Sequence, residues 1–115
     1  MIYQKNNLVA IFALVLAACS SSPEPLELTL TATDIAYDTS NISAKVSQNV
    51  SISFVNDGAL EHNFIIDDFG VENLLQSGEN VAISFTPQQS GSYEFYCDVA
   101  GHLEAGMKGT LRVSQ

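Results

Sequence analysis

The 115-residue chain has no tryptophan, only 4 Lys and Arg against 13 Asp and Glu, and only two each of Cys, His and Met. The shortage of bases excludes nucleic acid as a partner, because phosphate binding needs a basic face and the formal net charge here is −9. Long apolar runs are also missing. The longest, Leu8 to Ala18, falls well short of the roughly 20 residues that span a membrane as a helix. There is no internal repeat and no glycine-rich loop to cradle a phosphate. With His62, His102, Cys19, Cys97 and Met107 the only such residues besides the initiator Met, any site built from them is legible almost completely.

The N-terminus has a composition of its own. A polar start with one positive side chain, Lys5, leads into the apolar run, which suits a secretory signal. The run ends in Leu16-Ala17-Ala18-Cys19, followed by Ser20-Ser21-Ser22-Pro23-Glu24-Pro25. This resembles the lipobox of bacterial lipoproteins, which implies cleavage before Cys19 and lipidation of its sulfur. An ordinary signal peptide with a chance Cys is the plainer alternative. On the lipobox reading, residues 1–18 are a lipoprotein signal peptide, 19–25 the lipidated Cys and its tether, and 26–115 the single folded domain. The Ser/Pro tether reaches roughly 25 Å at full extension, so the domain stays close to the membrane on the periplasmic side or the outer cell surface. Cys97 is then the sole thiol of the mature chain. An unpaired Cys in an oxidising compartment is either buried and inert or a metal ligand.

Beyond the tether, apolar residues recur with period two. Leu26, Leu28 and Leu30 alternate with polar neighbours, as do Val50, Ile52 and Phe54, Val81, Ile83 and Phe85, Tyr93, Phe95 and Cys97, and Leu111 and Val113. Each run reads as a half-buried strand. Turn-forming residues separate them at Asn56-Asp57-Gly58, Asp67-Asp68-Phe69-Gly70, Gln76-Ser77-Gly78 and Pro87 to Gly91. Only Val71 to Gln76 suits a short helical turn. The pattern predicts an all-β, antiparallel sandwich or barrel with Greek-key connections.

The same alternation directs the unusual side chains. Cys97 shares the inward face of Tyr93 and Phe95, and His62 that of Phe64 and Ile66. After Cys97 the alternation stops for a loop, Asp98 to Met107, with the spacing C-x4-H-x4-M. Taken singly, His62 suits a structural histidine, Cys97 a small buried hydrophobe, Met107 core filler and His102 an exposed loop residue. Together they supply two imidazoles, a thiolate and a thioether, the donor set of a blue-copper electron-transfer site. Zinc accepts two His and a Cys but rarely recruits Met. A dicopper centre needs two Cys in this loop, and only one is present.

Gly91-Ser92-Tyr93-Glu94-Phe95-Tyr96-Cys97, with His102 and Ala105-Gly106-Met107-Lys108-Gly109, resembles the C-terminal motif of plastocyanins and related small cupredoxins. Glu61-His62-Asn63-Phe64 is similar to that family's first-ligand region. The resemblance implies a cupredoxin-like Greek-key β-sandwich of about 7–8 strands, as one domain. It implies one type 1 copper held by His62, Cys97, His102 and Met107, with Asn63 supporting the ligand loop by hydrogen bonds. It further implies electron transfer rather than enzymatic turnover. The His102 ring would emerge through the surface among Leu103, Ala105 and Gly106, and Tyr96 would lie on an acidic docking face. Four residues separate Cys97 from His102 where plastocyanins have two, a spacing closer to azurins and auracyanins. The expected partners are redox proteins, a basic c-type cytochrome or a membrane electron-transfer complex, met by a monomer. A copper-binding module for delivery, storage or oxidase assembly is the alternative, although such proteins favour Met- and His-rich open sites.

Replacing the lipidation candidate, Cys19→Ala, is expected to release or mislocalise the protein with its copper spectrum unchanged. Membrane fractionation with metabolic lipid labelling reads this, and a lipid-labelled Cys19→Ala product would refute the lipobox.

Overall fold

The described residues form nine strands, five of them on runs of apolar residues with period two. These are β1 Leu26–Thr33, β2 Ala36–Tyr37, β3 Asn41–Lys45, β4 Val50–Asn56, β5 His62–Ile66, β6 Val71–Leu75, β7 Asn80–Phe85, β8 Gly91–Tyr96 and β9 Lys108–Ser114. The computed structural model describes residues 2, 9–14 and 21–115; Lys5 and the segment Leu16-Ala17-Ala18-Cys19 lie outside the described residues. The strands form two sheets, ordered β2-β1-β4-β7 and β3-β9-β8-β5-β6. The expected all-β sandwich is present. Among the described residues no helix is long and apolar enough to cross a membrane.

The structure departs from the sequence reading in three places. The sheets are mixed: β1 pairs parallel to β4 and β3 parallel to β9. The chain crosses from one sheet to the other between β2 and β3 and returns at β4, so β1 and β4 enter their sheet in the same direction. Alternation reports a buried face and says nothing of strand direction. Second, Val71–Leu75 is a strand rather than a helical turn. A 3₁₀ turn at Asp67–Phe69, closed by Gly70 N–H to the Asp67 carbonyl at 3.1 Å, reverses the chain and lays β6 antiparallel on β5. Third, all five residues of β5 are buried, because β6 and β8 flank it and both of its faces are covered.

The inward faces meet in one core that includes Leu30, Ile52, Phe54, Phe64, Ile66, Phe95 and Leu111, all 0% exposed. Beneath the end of the sandwich that carries His62 and Cys97, four aromatic rings interlock. Tyr37, Phe54, Phe64 and Phe95 stand 5.3–6.3 Å apart by ring centroid, in tilted or edge-on pairs. Such pairs contribute about 0.5–1.5 kcal/mol each beyond the area they bury. Phe64 touches three of these neighbours' positions in the cluster and sits two residues from His62 on the same face. Phe64→Ala is expected to cost about 3–5 kcal/mol. A fall in the denaturant midpoint of the metal-free protein with an unchanged slope checks it.

Candidate metal centre

The antiparallel register of β8 and β9 fixes half of the site. Tyr96 pairs with Lys108, and one step further Cys97 N–H donates to the Met107 carbonyl at 3.0 Å. The ladder thus continues past the formal strand ends and closes the loop between them. Inside the loop, His102 N–H donates to the Val99 carbonyl at 2.8 Å, and Met107 N–H to the His102 carbonyl at 3.0 Å. Gly106 makes the last bend at φ +93°, a conformation L side chains rarely adopt. These bonds turn His102 back over Cys97 and set Met107 beside it.

The other half comes from β5, whose first residue is His62. The donor atoms of His62, Cys97 and His102 all lie within 4.8 Å of one another, and all three residues are buried. The two imidazole rings stand 4.9 Å apart. Cys97 Sγ is 3.5 Å from His102 Nδ1 and accepts the Asn63 N–H at 3.5 Å. Met107 is 1% exposed. Among the described residues no other group of three His, Cys, Asp or Glu side chains converges in this way.

The two imidazoles are held differently. His62 Nε2 lies 2.8 Å from Asp34 Oδ1. An ionised carboxylate only accepts, so Nε2 carries the hydrogen and Nδ1 of the neutral ring keeps its lone pair. Nδ1 faces the site and is the one buried side-chain nitrogen or oxygen without a partner among the described residues. Leaving such a group unpaired costs about 1–3 kcal/mol, so an orphan of this kind marks a missing partner such as an ion. His102 is 4% exposed, so its ring does not stand out from the surface as expected; the loop folds over it. Its Nε2 has no hydrogen-bond partner among the described residues, and the 4% exposure leaves a small part of the residue at the surface.

Hydrogen bonds hold the donors in place. Asn63 spans from β5 to the ligand loop, its Oδ1 accepting the Asp98 N–H at 2.9 Å and its Nδ2 donating to the Asp98 carboxylate. Asn63 thus ties β5 to the start of the loop after Cys97. Tyr37 Oη donates to the Asn63 carbonyl at 2.6 Å, and burial, then the charges of Cys97 and Asp98, pushes its phenol well above the ordinary range. Asn56, fully buried, donates to the Leu60 carbonyl at 2.9 Å and the Leu75 carbonyl at 3.1 Å. It thereby shapes the segment that leads into His62. Asp34 takes the Ala59 N–H at 2.8 Å, and that bond first, then His62, holds its carboxyl below the usual value. Asp34, Asn56 and Tyr37 were not legible as parts of a site. Asp34 is 28 residues from His62 in sequence, and Asn56 reads only as a turn former.

Of the expected docking residues, Leu103 and Tyr96 are both half-buried. Tyr96 Oη donates to the Asp67 carboxylate at 3.0 Å, and Asp67, with Asp98 and Glu72 further off, pushes its phenol up. Asp67 therefore lies against Tyr96, and the charges of Asp98 and Glu72 reach it, which the sequence left undecided.

The residues fit a bound copper: a lone pair on a sealed imidazole nitrogen, a second imidazole, a buried thiol and a buried thioether are the soft and borderline donors it takes.

The chain is 33% identical over 100 residues to plastocyanin from Daucus carota, covering 76% of this chain and 99% of that one. It is 36% identical over 80 residues to the chloroplastic plastocyanin of Physcomitrium patens, covering 60% of this chain and 46% of that one, so it spans just under half of that relative's length. Its fold superimposes on auracyanin A, a "blue" copper protein from Chloroflexus aurantiacus, with a TM-score of 0.68 at 24% identity over 77% of this chain and 98% of that one. The sequence pattern of the cupredoxin-like domain family matches residues 7–113. That match takes in both sheets and every residue at the convergent centre, and the chain belongs to the cupredoxin-like domain family.

Proposed function

We propose that the chain is a type 1 copper electron carrier, with His62, Cys97, His102 and Met107 as the ligands of one copper. The observation that carries this reading is the unpartnered, buried Nδ1 of His62 facing Cys97 and His102. Copper bound there would cycle between Cu(II) and Cu(I), holding and releasing one electron without transforming a substrate. The chain's part is to present the same donors to both states. Cys97 is tied by its backbone to Met107 and by its sulfur to Asn63, His62 is held by Asp34, and His102 is folded under its own loop. Donors fixed before binding rearrange little when charge changes. Their burial also favours retaining the ion, which argues for a carrier over a delivery or storage module.

Electrons would pass at the edge of His102. In residues 21–115 the large hydrophobics left exposed are Ile35, Leu60 and Leu74. They lie beside Asp34, just before His62, and opposite Asn63 on β6, at the same end of the sandwich. With half-buried Leu103 they offer an apolar contact next to the acids around Tyr96. This suits a basic redox partner, such as a c-type cytochrome or a membrane electron-transfer complex, met by a monomer. Residues 1–18 serve as an export signal, 19–25 as a tether lipidated at Cys19, and 26–115 as the working domain, so that the protein acts while anchored to a membrane.

The donor set is tested first. Purified protein is expected to take up one copper per chain with an intense visible thiolate-to-Cu(II) band. Cys97→Ser should abolish the band with the domain still folded. Met107→Leu should keep the band and raise the reduction potential by removing a weak donor. A Cys97→Ser protein that remains blue would overturn the assignment.

Docking is tested by stopped-flow transfer to a basic cytochrome. Glu72→Lys with Glu94→Lys should slow transfer by about 10-fold or more at low salt and flatten its salt dependence. Leu103→Glu should slow self-exchange as well. Equal, salt-independent rates with acidic and basic cytochromes would leave the negative charge a solubilising coat.

A further inference from the structure

The carboxylate behind His62 is unlike the rest of the site. Every other group that supports a ligand residue there is a backbone atom or the neutral side chain of Asn63, whereas His62 rests on an acid from the turn after β1. Asp34 is held from a second side as well. Its Oδ2 accepts the Ala59 N–H at 2.8 Å and its Oδ1 the Leu60 N–H at 3.2 Å, in addition to His62 Nε2 at 2.8 Å. The pocket for it is shaped by a missing side chain. A Cβ on Gly58 would overlap the Asp34 carboxylate and stand 3.0 Å from His62 Nε2. The Asp34 side chain keeps 33% of its surface open to water while the His62 side chain has none. Water can therefore keep the acid ionised where the imidazole is sealed.

We propose that Asp34 is a positioning residue that fixes His62 with its Nδ1 lone pair toward the metal position and biases the bound copper toward its oxidised state. This rests on the copper reading of the site. Two consequences follow from the geometry. An acceptor at Nε2 excludes the tautomer that would place a hydrogen on Nδ1, so no rearrangement is needed before an ion is bound. A negative charge one ring away also stabilises the higher-charged ion more than the lower-charged one. Asp98, clasped to Asn63 behind Cys97, adds a second carboxylate on another side of the donor set.

Asp34→Asn decides the charge effect, because an amide oxygen in the place of Oδ1 can still accept from Leu60 and His62 Nε2, at the loss of the Ala59 bond. In copper-loaded protein the balance of Cu(I) over Cu(II) is expected to rise about tenfold, which for one electron is an upward shift of about 59 mV in voltammetry. Asp34→Ala is expected to lower copper affinity roughly 10–100-fold in a competition titration. In metal-free protein, nitrogen NMR of His62 should show the Nε2–H tautomer in the wild type and a mixture in Asp34→Ala. An Asp34→Asn potential equal to wild type, or a tautomer balance unmoved by Asp34→Ala, in a protein that still turns blue, would overturn the inference and leave Asp34 a loop staple. A wild-type protein that never turns blue would instead overturn the copper reading and the bias argued from it. The metal-free tautomer measurement decides the positioning of His62 in either case.

Discussion

The β8–β9 register governs the centre. Cys97 and Met107 face each other because the pairing that begins at Gly91↔Val113 runs without a bulge to Tyr96↔Lys108 and one rung beyond. Side chains alternate faces along a strand, so a slip of one residue would turn Cys97 out to solvent and send Tyr96 into the core. The buried residues of both strands, Phe95, Leu111 and Val113, resist such a slip because it would expose all of them together. The same packing that stabilises the sandwich therefore sets where the thiol points. The eleven-residue stretch between the strands brings His102 over the thiol by its own turns.

Around this frame every buried side-chain nitrogen and oxygen of the described residues is paired except one. Asn56, Asn63 and Asp34 each make several hydrogen bonds across sequence separations that no local element would bridge. A low-dielectric end of the sandwich makes unpaired groups expensive, so these residues lock both loops and β5 to one another. The exception among the described residues is Nδ1 of His62. A buried nitrogen with a free lone pair beside a thiol and a second imidazole suits an ion. Its aromatic floor, Tyr37 with Phe54, Phe64 and Phe95, leaves the donors no room to sink.

Charge is arranged on the same plan. Asp67 reaches the Tyr96 hydroxyl, and the charges of Glu72 and Asp98 act on it, because the β5–β6 hairpin folds beside the end of β8. β5 pairs with the end of β8 at Ile65↔Tyr96, which brings the hairpin beside Tyr96. Apolar exposure gathers at the same end, at Ile35, Leu60 and Leu74.

Sequence periodicity alone determined the strands with strong alternation, β1, β4, β7, β8 and β9, and the inward direction of His62 and Cys97, because the side-chain period of a strand is two whatever its partners. The scarcity of Cys, His and Met determined the candidate donors, since no others exist to compete. It did not determine β2 and β3, which are short and nearly featureless, or β6, whose spacing suits a helical turn as well as a strand. Strand direction was hidden too, because alternation is the same read either way. Asp34, Asn56 and Tyr37 stayed invisible for a different reason. Each acts on a partner far away in sequence or through a backbone group, and a contact of that kind exists only once two sheets have closed around it. The buried position of His102 was likewise decided by loop turns whose hydrogen bonds are between backbone atoms, which side-chain identity does not report. Identity and alternation thus named the donors, while tertiary closure decided which of their atoms face one another and what holds them there.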